Sequence, residues 1–320
     1  MILIITDPSD PHLPFVTNHL KKNEYIVLDV GVISDGAKLT YTVADDGFKV
    51  HYEGKELQDV TGVWYRRPRI AQDDLHLNIR PDYQDYAYSA LQKMAGQLYT
   101  MFEDAIWISN VYAIRRAENK PLQLKVARQL GFNVPKTCFT SDSTAAKKFV
   151  EEHKEVIFKP LSDRWPKPTK KDTQPTLYAR KVRADEPIDY KGLHLAPAIF
   201  QQLIDPAFEL RVTVVGDRVF TAKIETSGFT RKAVRDWRLG HREGDLKFTA
   251  YDLPEEMAKK CITLTKELGL NFGAIDLIQA KDGSIWFLEI NSNGQWGFVE
   301  WATGQQIGKA MAQLLKNGKN

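Results

Sequence analysis

The chain opens on an unbroken apolar run, Ile2–Ile5, which stops at Thr6 and Asp7-Pro8 before apolar residues recur at helical spacing around Pro14–Lys21. A short apolar run bounded by turn residues predicts a buried strand, and the spacing after it predicts a helix. Tyr25–Val30 is a second apolar strand, so the opening reads as a doubly wound α/β unit. Leu39–Val43 and Phe48–Tyr52 flank Asp45-Asp46-Gly47, and an Asp-Gly step between two strand patterns predicts a hairpin. Val60–Tyr65 is a further strand ending at Arg66-Arg67-Pro68. Pro81–Phe102 carries helical spacing, and Ala105–Ile108 closes a first domain, residues 1–109, as a strand.

A second unit, residues 110–204, contains a predicted helix over Pro121–Leu130 ended by Gly131, which supplies a left-handed cap. A helix over Ser143–Glu152 and a strand over Val156–Phe158 follow. Leu161–Leu177 is rich in Pro, Lys and Asp without apolar periodicity and reads as a mobile loop. The third unit, residues 205–320, alternates strands with helices after a strand at Ala198–Gln202. Its strands are Leu210–Val215, Val219–Ile224, Ala274–Gln279 and Ile285–Ile290, and its helices are Pro254–Leu268 and Gly304–Lys316. No internal repeat is visible. The fold class is α/β.

Composition narrows the function. The 320 residues carry 44 Lys and Arg against 41 Asp and Glu, a net charge of +3 with the two signs interleaved. That balance suits phosphate handling at one site, and no nucleic-acid partner is expected, since such binders concentrate positive charge on a stripe. No apolar run is long enough to cross a bilayer, so no membrane partner is expected either. No basic segment precedes the first apolar run, and Cys138 and Cys261 are the only cysteines. A reducing cytoplasm is the expected setting.

The strongest chemical signal is Asp276, Glu289 and Asn291. Asp276 lies in one predicted strand, Glu289 and Asn291 on one face of the next, and Lys281-Asp282-Gly283-Ser284 forms the turn between them. Three oxygen-bearing side chains then converge, as a hard cation such as Mg²⁺ requires. A lone acidic pair is usually a solvated hairpin face, but here the flanking residues are apolar and imply burial, and buried carboxylates need a partner. Lys159 ends an apolar strand and Lys120 opens a helix before Pro121, both suitable places to meet phosphate. Either lysine alone reads as a surface residue. Gln202, Leu203 and Ile204 leave a strand end that could face an adenine edge, with Glu209 near a ribose and Arg211 near phosphate oxygens; an amphipathic sheet with exposed ends is the plainer alternative.

In order and rough spacing these residues resemble the ATP-grasp superfamily. Asn119-Lys120, Lys159-Pro160, Gln202-Leu203-Ile204, Glu209-Leu210-Arg211, Ala222-Lys223, Asp236-Trp237-Arg238, Asp276 and Glu289-Ile290-Asn291 carry the likeness. Val63-Trp64-Tyr65-Arg66-Arg67-Pro68 and Asn293-Gly294-Gln295-Trp296 bring the chain nearest to the peptide maturases of the microviridin, or graspetide, type. The resemblance implies an ATP-grasp fold behind an N-terminal pre-ATP-grasp domain. It implies ATP and Mg²⁺ as cofactors, with Lys120 and Lys159 on the phosphates, Gln202, Leu203 and Ile204 at the adenine and Glu209 at the ribose. Asp276, Glu289 and Asn291 would hold the metal. Arg211, Lys223 and Arg238 would steady the transferred phosphoryl group, whose spread charge needs preorganised cations. A ribosomal precursor peptide with a leader segment is the implied partner, and a homodimer the implied assembly.

Two departures stand out. Leu161–Tyr178 lacks the glycine that often lies over the phosphates, and Ser292 replaces a common proline at what reads as a surface turn. Arg66 and Arg67 could clamp a substrate carboxylate in bidentate fashion or form a solvated basic turn. Trp64 and Tyr65 read as packing residues. The seven histidines form no metal-ligand spacing, and no nucleophile elbow, Walker-type loop or Gly-x-Gly-x-x-Gly follows a strand. The alternatives are an ATP-grasp ligase for free amino acids or protein C-termini, and a non-catalytic nucleotide-binding module.

Overall fold

The computed structural model describes residues 1–45, 47–68, 70, 79–161, 179–225 and 247–317. The predicted loop therefore falls outside the described residues beyond Leu161. Strand β1 (Ile2–Thr6) is buried at every position, as a strand covered on both faces must be. It lies between β2 (Tyr25–Leu28) and β6 (Gly62–Arg66), and β7 (Ile106–Ile108) follows β6 in a four-stranded parallel sheet of order β2-β1-β6-β7. The helix after β1 is short: α1 (Leu13–Thr17) stops well before Lys21. The hairpin forms as β3 (Leu39–Ala44) and β4 (Gly47–Tyr52), extended by β5 (Lys55–Glu56), and α2 (Gln84–Gly96) follows. Trp64 is fully buried, as a packing residue should be.

Two helices absent from the sequence pattern or sharpened by it lead into the second sheet. Asn110 caps α3 (Val111–Ala117), and Asn119 caps α4 (Lys120–Gln129) by accepting the Leu122 N–H at 2.9 Å, with Pro121 in the first turn. Gly131 follows at φ 75°. The second sheet is antiparallel with order β10-β9-β11-β8: β8 (Thr137–Thr140), β9 (Glu155–Pro160), β10 (Arg180–Arg183) and β11 (Ala198–Gln202). Helix α5 (Ser143–His153) covers one face through Ala146 and Val150.

The third sheet carries the chemistry. Its order is β14-β13-β12-β15-β16, all antiparallel, from β12 (Pro206–Val215), β13 (Arg218–Glu225), β14 (Lys247–Ala250), β15 (Phe272–Ala280) and β16 (Ile285–Asn291). Leu210, Val212, Ile275 and Leu277 face α6 (Glu255–Glu267) and α4. On the other face, Val215 and Ala274 join the core of the first sheet with Ile4 and Trp64. The predicted helix over Gly304–Lys316 starts at Ile307, and a separate short helix precedes it. Gly304 sits at φ 72° as the left-handed terminator of α7 (Gly297–Thr303), and α8 (Ile307–Asn317) starts three residues later. Helix α8 stitches the chain's end to its beginning. A Cβ on Gly308 would lie 2.1 Å from the Phe15 carbonyl oxygen and one on Gly62 2.4 Å from that of Leu315, so both approaches require glycine.

Candidate functional site

Register does the assembling. Arg211 on β12 lies opposite Asp276 on β15, and Asp276 lies opposite Glu289 on β16. Opposed residues on adjacent strands share a face, so three charged side chains form one row across the sheet, and Asn291 joins them two residues beyond Glu289. Arg211 Nη1 donates to Asp276 Oδ1 at 2.6 Å. Lys120, from the start of α4, pairs with Glu289 Oε2. The second oxygens of the two acids turn toward Asn291, whose Nδ2 lies 3.3 Å from Asp276 Oδ2 and 3.4 Å from Glu289 Oε1. Asp276 and Arg211 are buried, which a solvated hairpin face would not be.

This donor set suits a hard cation. Each acid neutralises one oxygen against a fixed cation and keeps the other in a shared pocket, and rotation of the Asn291 amide would present its oxygen beside them. Among the described residues no group of three His, Cys, Asp or Glu converges, so this mixed set of two carboxylates and an amide is the arrangement on offer. The edge of β16 is locked. Buried Gln123 on α4 donates to the Ile290 carbonyl at 2.9 Å and accepts its N–H at 3.1 Å. Asn133 completes the edge, its backbone carbonyl accepting from the Phe287 N–H at 2.9 Å. An amide side chain thus replaces a neighbouring strand. Gln123 was not among the sequence candidates, because a polar residue in an amphipathic helix gives no sign that it faces inward.

An apolar cluster adjoins the row. The register slips between Asp276 and Leu277, where Leu277 faces Phe287 and Leu288 becomes the extra residue of a bulge. Ile204, Ile278, Ala280, Trp286 and Leu288 cluster there, with Glu209 opposite Ile278. Of the three residues expected at an adenine, Ile204 is in this cluster. Leu203 is half-buried, and Gln202 turns its Oε1 to the Lys136 N–H at 3.2 Å. Ile278 and Leu288 were missed, since apolar strand residues read as core.

Lys159 donates to Gln201 Oε1 at 2.7 Å on the face of the second sheet opposite α5. Lys223 is not brought to the row. It lies opposite Leu210, on the other face of the third sheet, where its Nζ sits 4.7 Å from the Phe208 ring centroid and 2.9 Å from Glu225. The physical reason is the two-residue strand period: Ala222, not Lys223, shares the face of Arg211. Arg238 lies outside the described residues. Ser292 is buried, not at a surface turn.

Arg66 and Arg67 leave the C-terminal end of β6, the edge at which parallel sheets present ligands. Arg66 is neither a solvated residue nor open to a substrate. It is 2% exposed and gives Nη1 to the carbonyls of Asn293 at 2.8 Å and Gly294 at 3.1 Å and Nε to Asp10 at 3.2 Å. Burial pushes its guanidinium down to about 10, against the pull of Asp10. His12 completes the joint: its Nδ1 is 3.0 Å from Asp10, and its Nε2 accepts the Trp296 N–H at 3.2 Å. Arg67, with φ 46°, is exposed, donates to the Asn293 carbonyl at 2.9 Å and feels the charge of Arg211. Arg211 Nη2 donates to the Gln295 carbonyl at 3.1 Å. Three arginines therefore grip the segment that follows Asn291.

A row of paired acids and cations beside an apolar cluster, set on an antiparallel sheet, fits an ATP-grasp architecture. A family model described as the RimK-like ATP-grasp domain matches residues 117–315, and the chain belongs to that family. Among solved structures it is similar over 100% of its length, and 97% of the other's, to a Chryseobacterium gregarium RiPP-associated ATP-grasp ligase in complex with ADP and a leader and core peptide, at 27% identity and TM-score 0.92. It is similar over 99% of both chains to the macrocyclase MdnC of Microcystis aeruginosa bound with its precursor peptide MdnA, at 28% identity and TM-score 0.83. A probable alpha-L-glutamate ligase of Parasynechococcus marenigrum is 28% identical over 63% of this chain, which spans 42% of that relative's length.

Proposed function

We propose that this chain is an ATP-dependent ligase that activates Asp or Glu side chains of a ribosomal precursor peptide and closes ω-amide or ω-ester macrocycles. The carrying observation is the row of Arg211, Asp276 and Glu289 with Lys120 and Asn291 around it, beside the apolar cluster of Ile204, Ile278 and Leu288. Whole-length similarity to ligases whose structures hold precursor peptides supports a peptide partner. Residues 1–109 would form the pre-ATP-grasp domain, with 110–204 and 205–320 as the two gripping subdomains.

A substrate carboxylate oxygen attacks the γ-phosphorus of ATP, the bond to the bridging β-phosphate oxygen breaks, and ADP leaves an acyl phosphate. An amine or hydroxyl of the same peptide then attacks the acyl carbon, loses its proton and expels phosphate. Asp276, Glu289 and Asn291 would hold Mg²⁺, which when bound neutralises phosphate charge and aligns the reacting oxygens. Arg211 and Lys120 supply fixed positive charge beside it. Arg67 and Lys159 are the exposed or half-buried cations left to meet peptide carboxylate and nucleotide phosphate. Enclosure between the two sheets keeps water from the anhydride. A homodimer in the cytoplasm fits this reading.

The test is co-expression with short peptides encoded beside the gene, followed by intact mass. Loss of one water per new bond supports macrocyclisation; an unmodified set of peptides counts against it. The names of the curated relatives favour a second reading, addition of free glutamate. ADP release with ATP and glutamate alone, without peptide, would select it.

A further inference from the structure

Away from the proposed nucleotide site, a cavity of about 520 Å³ lies between α2 and the end of β6. That volume falls in the range of small-ligand sites, roughly 300–1,000 Å³. Its walls are Tyr65, Tyr88, Tyr99 and Tyr112, and its charged residues are Lys93 and Arg115. Among the described residues no acidic one lines it. Among the described residues neither Lys93 nor Arg115 forms an ion pair, and Arg115 instead sits 5.9 Å from the Tyr112 ring centroid. Glu118, one turn along from Arg115, acts on Tyr65 through space without entering the lining. Tyr65 and Tyr99 meet edge to face at 5.3 Å, which fixes one wall. Tyr112 is exposed, so its ring offers a free apolar face at the mouth.

The cavity is continuous in sequence with the proposed active site. Tyr65 precedes Arg66 and Arg67, and Pro68 follows them as part of the lining. A peptide whose reacting carboxylate lies near Arg67 would have neighbouring residues within reach of these tyrosines. Four aromatic walls offer edge and face contacts to another ring, and two cations with no carboxylate partner among the described residues offer charge-assisted bonds to an anion.

We infer that this cavity is a docking site for an acidic, aromatic-bearing segment of the peptide substrate, with a carboxylate on Arg115 and Lys93 and a ring among the tyrosines. This rests on the reading that the substrate is a peptide, but its test requires no ligation. The full-length protein is titrated, by fluorescence anisotropy, into the labelled heptapeptide Gly-Glu-Phe-Glu-Phe-Asp-Gly and into its Gln/Asn isostere. The acidic peptide binds, and the isostere binds about tenfold more weakly, the loss of roughly one charge-assisted bond. The Lys93→Gln/Arg115→Gln double variant loses about tenfold in affinity for the acidic peptide. Tyr112→Ser, at an exposed position, weakens both peptides alike. The nucleotide-induced rise in Tm stays as in the parent for every variant.

Equal binding of the two peptides, no binding by the parent, or unchanged affinity in the double variant overturns the inference. So does loss of binding in Arg67→Ala alone, which would put the carboxylate at the active site. Charge-dependent binding here without any water loss from co-expressed peptides would sink the macrocyclase reading and leave the cavity's specificity intact.

Discussion

Replacing Arg66 with alanine removes a guanidinium that bridges β6 and the segment after Asn291, leaving Asp10 and the Asn293 and Gly294 carbonyls without their shared donor. Charge-assisted bonds of this kind contribute roughly 1.5–3 kcal/mol each, but deletions within one network do not add. Removing one member of a buried ion pair costs about 3–5 kcal/mol in total. Taking about 4 kcal/mol, and roughly 2–4 °C per kcal/mol for a chain of this size, Tm falls by roughly 8–16 °C. Arg66→Lys keeps the charge but loses the fork, so its Tm falls by a smaller amount. Differential scanning fluorimetry with urea titration reads both. A Tm within about 2 °C of the parent in Arg66→Ala, together with a raised KM for peptide, would refute the joint and restore Arg66 as a substrate clamp.

Glu289→Gln keeps the side-chain volume and costs half-exposed Lys120 its ion pair, so the fold holds while turnover drops by about 10²–10³-fold, the scale of losing one preorganised charge; ADP release near the parental rate would remove Glu289 from the metal set. Gly294→Ala puts a Cβ 2.7 Å from that of Ala274 and 3.0 Å from that of Asn291, costing about 1–3 kcal/mol and raising the Mg²⁺ concentration for half-maximal activity; an unchanged Mg²⁺ response would detach this turn from Asn291. For pH, burial first, then the charge of Arg66, holds His12 below its ordinary 6.5 despite the hydrogen bond to Asp10. A depressed pKa means the unfolded chain takes up a proton before the folded one does, so stability is full above 6.5 and declines as pH falls below it. Urea midpoints from pH 8 to 5 measure the slope, and His12→Gln, which cannot titrate, flattens it.

The convergence of Asp276, Glu289 and Asn291 was legible because it depends on short-range rules. Asp276, the Asp282-Gly283 turn and the two-residue spacing of Glu289 and Asn291 are local facts, and an antiparallel hairpin converts them into shared faces. Gly131 likewise marked a helix end. Expectations failed where a residue's meaning lay in a distant partner. Lys223 stands next to Ala222 in a family-like string, yet the register of β12 against β13 turns it to the far face. The segments β8, β10 and α7 went unpredicted because four to seven residues carry too little periodicity to separate strand, helix and loop.

By itself, then, the order of apolar, polar and turn residues determined the α/β class, most strand and helix positions, and the oxygen donors that share a face. Those follow from backbone periods of 2 and 3.6, which act over a few residues. Only the tertiary structure decided that Arg66 is a buried joint, that Gln123 locks the edge of β16, that Leu288 bulges into the apolar cluster, and that four tyrosines surround a cavity near Arg115. Each of these rests on groups tens to hundreds of positions apart, and the free energy of their burial depends on a partner that no local window of sequence contains.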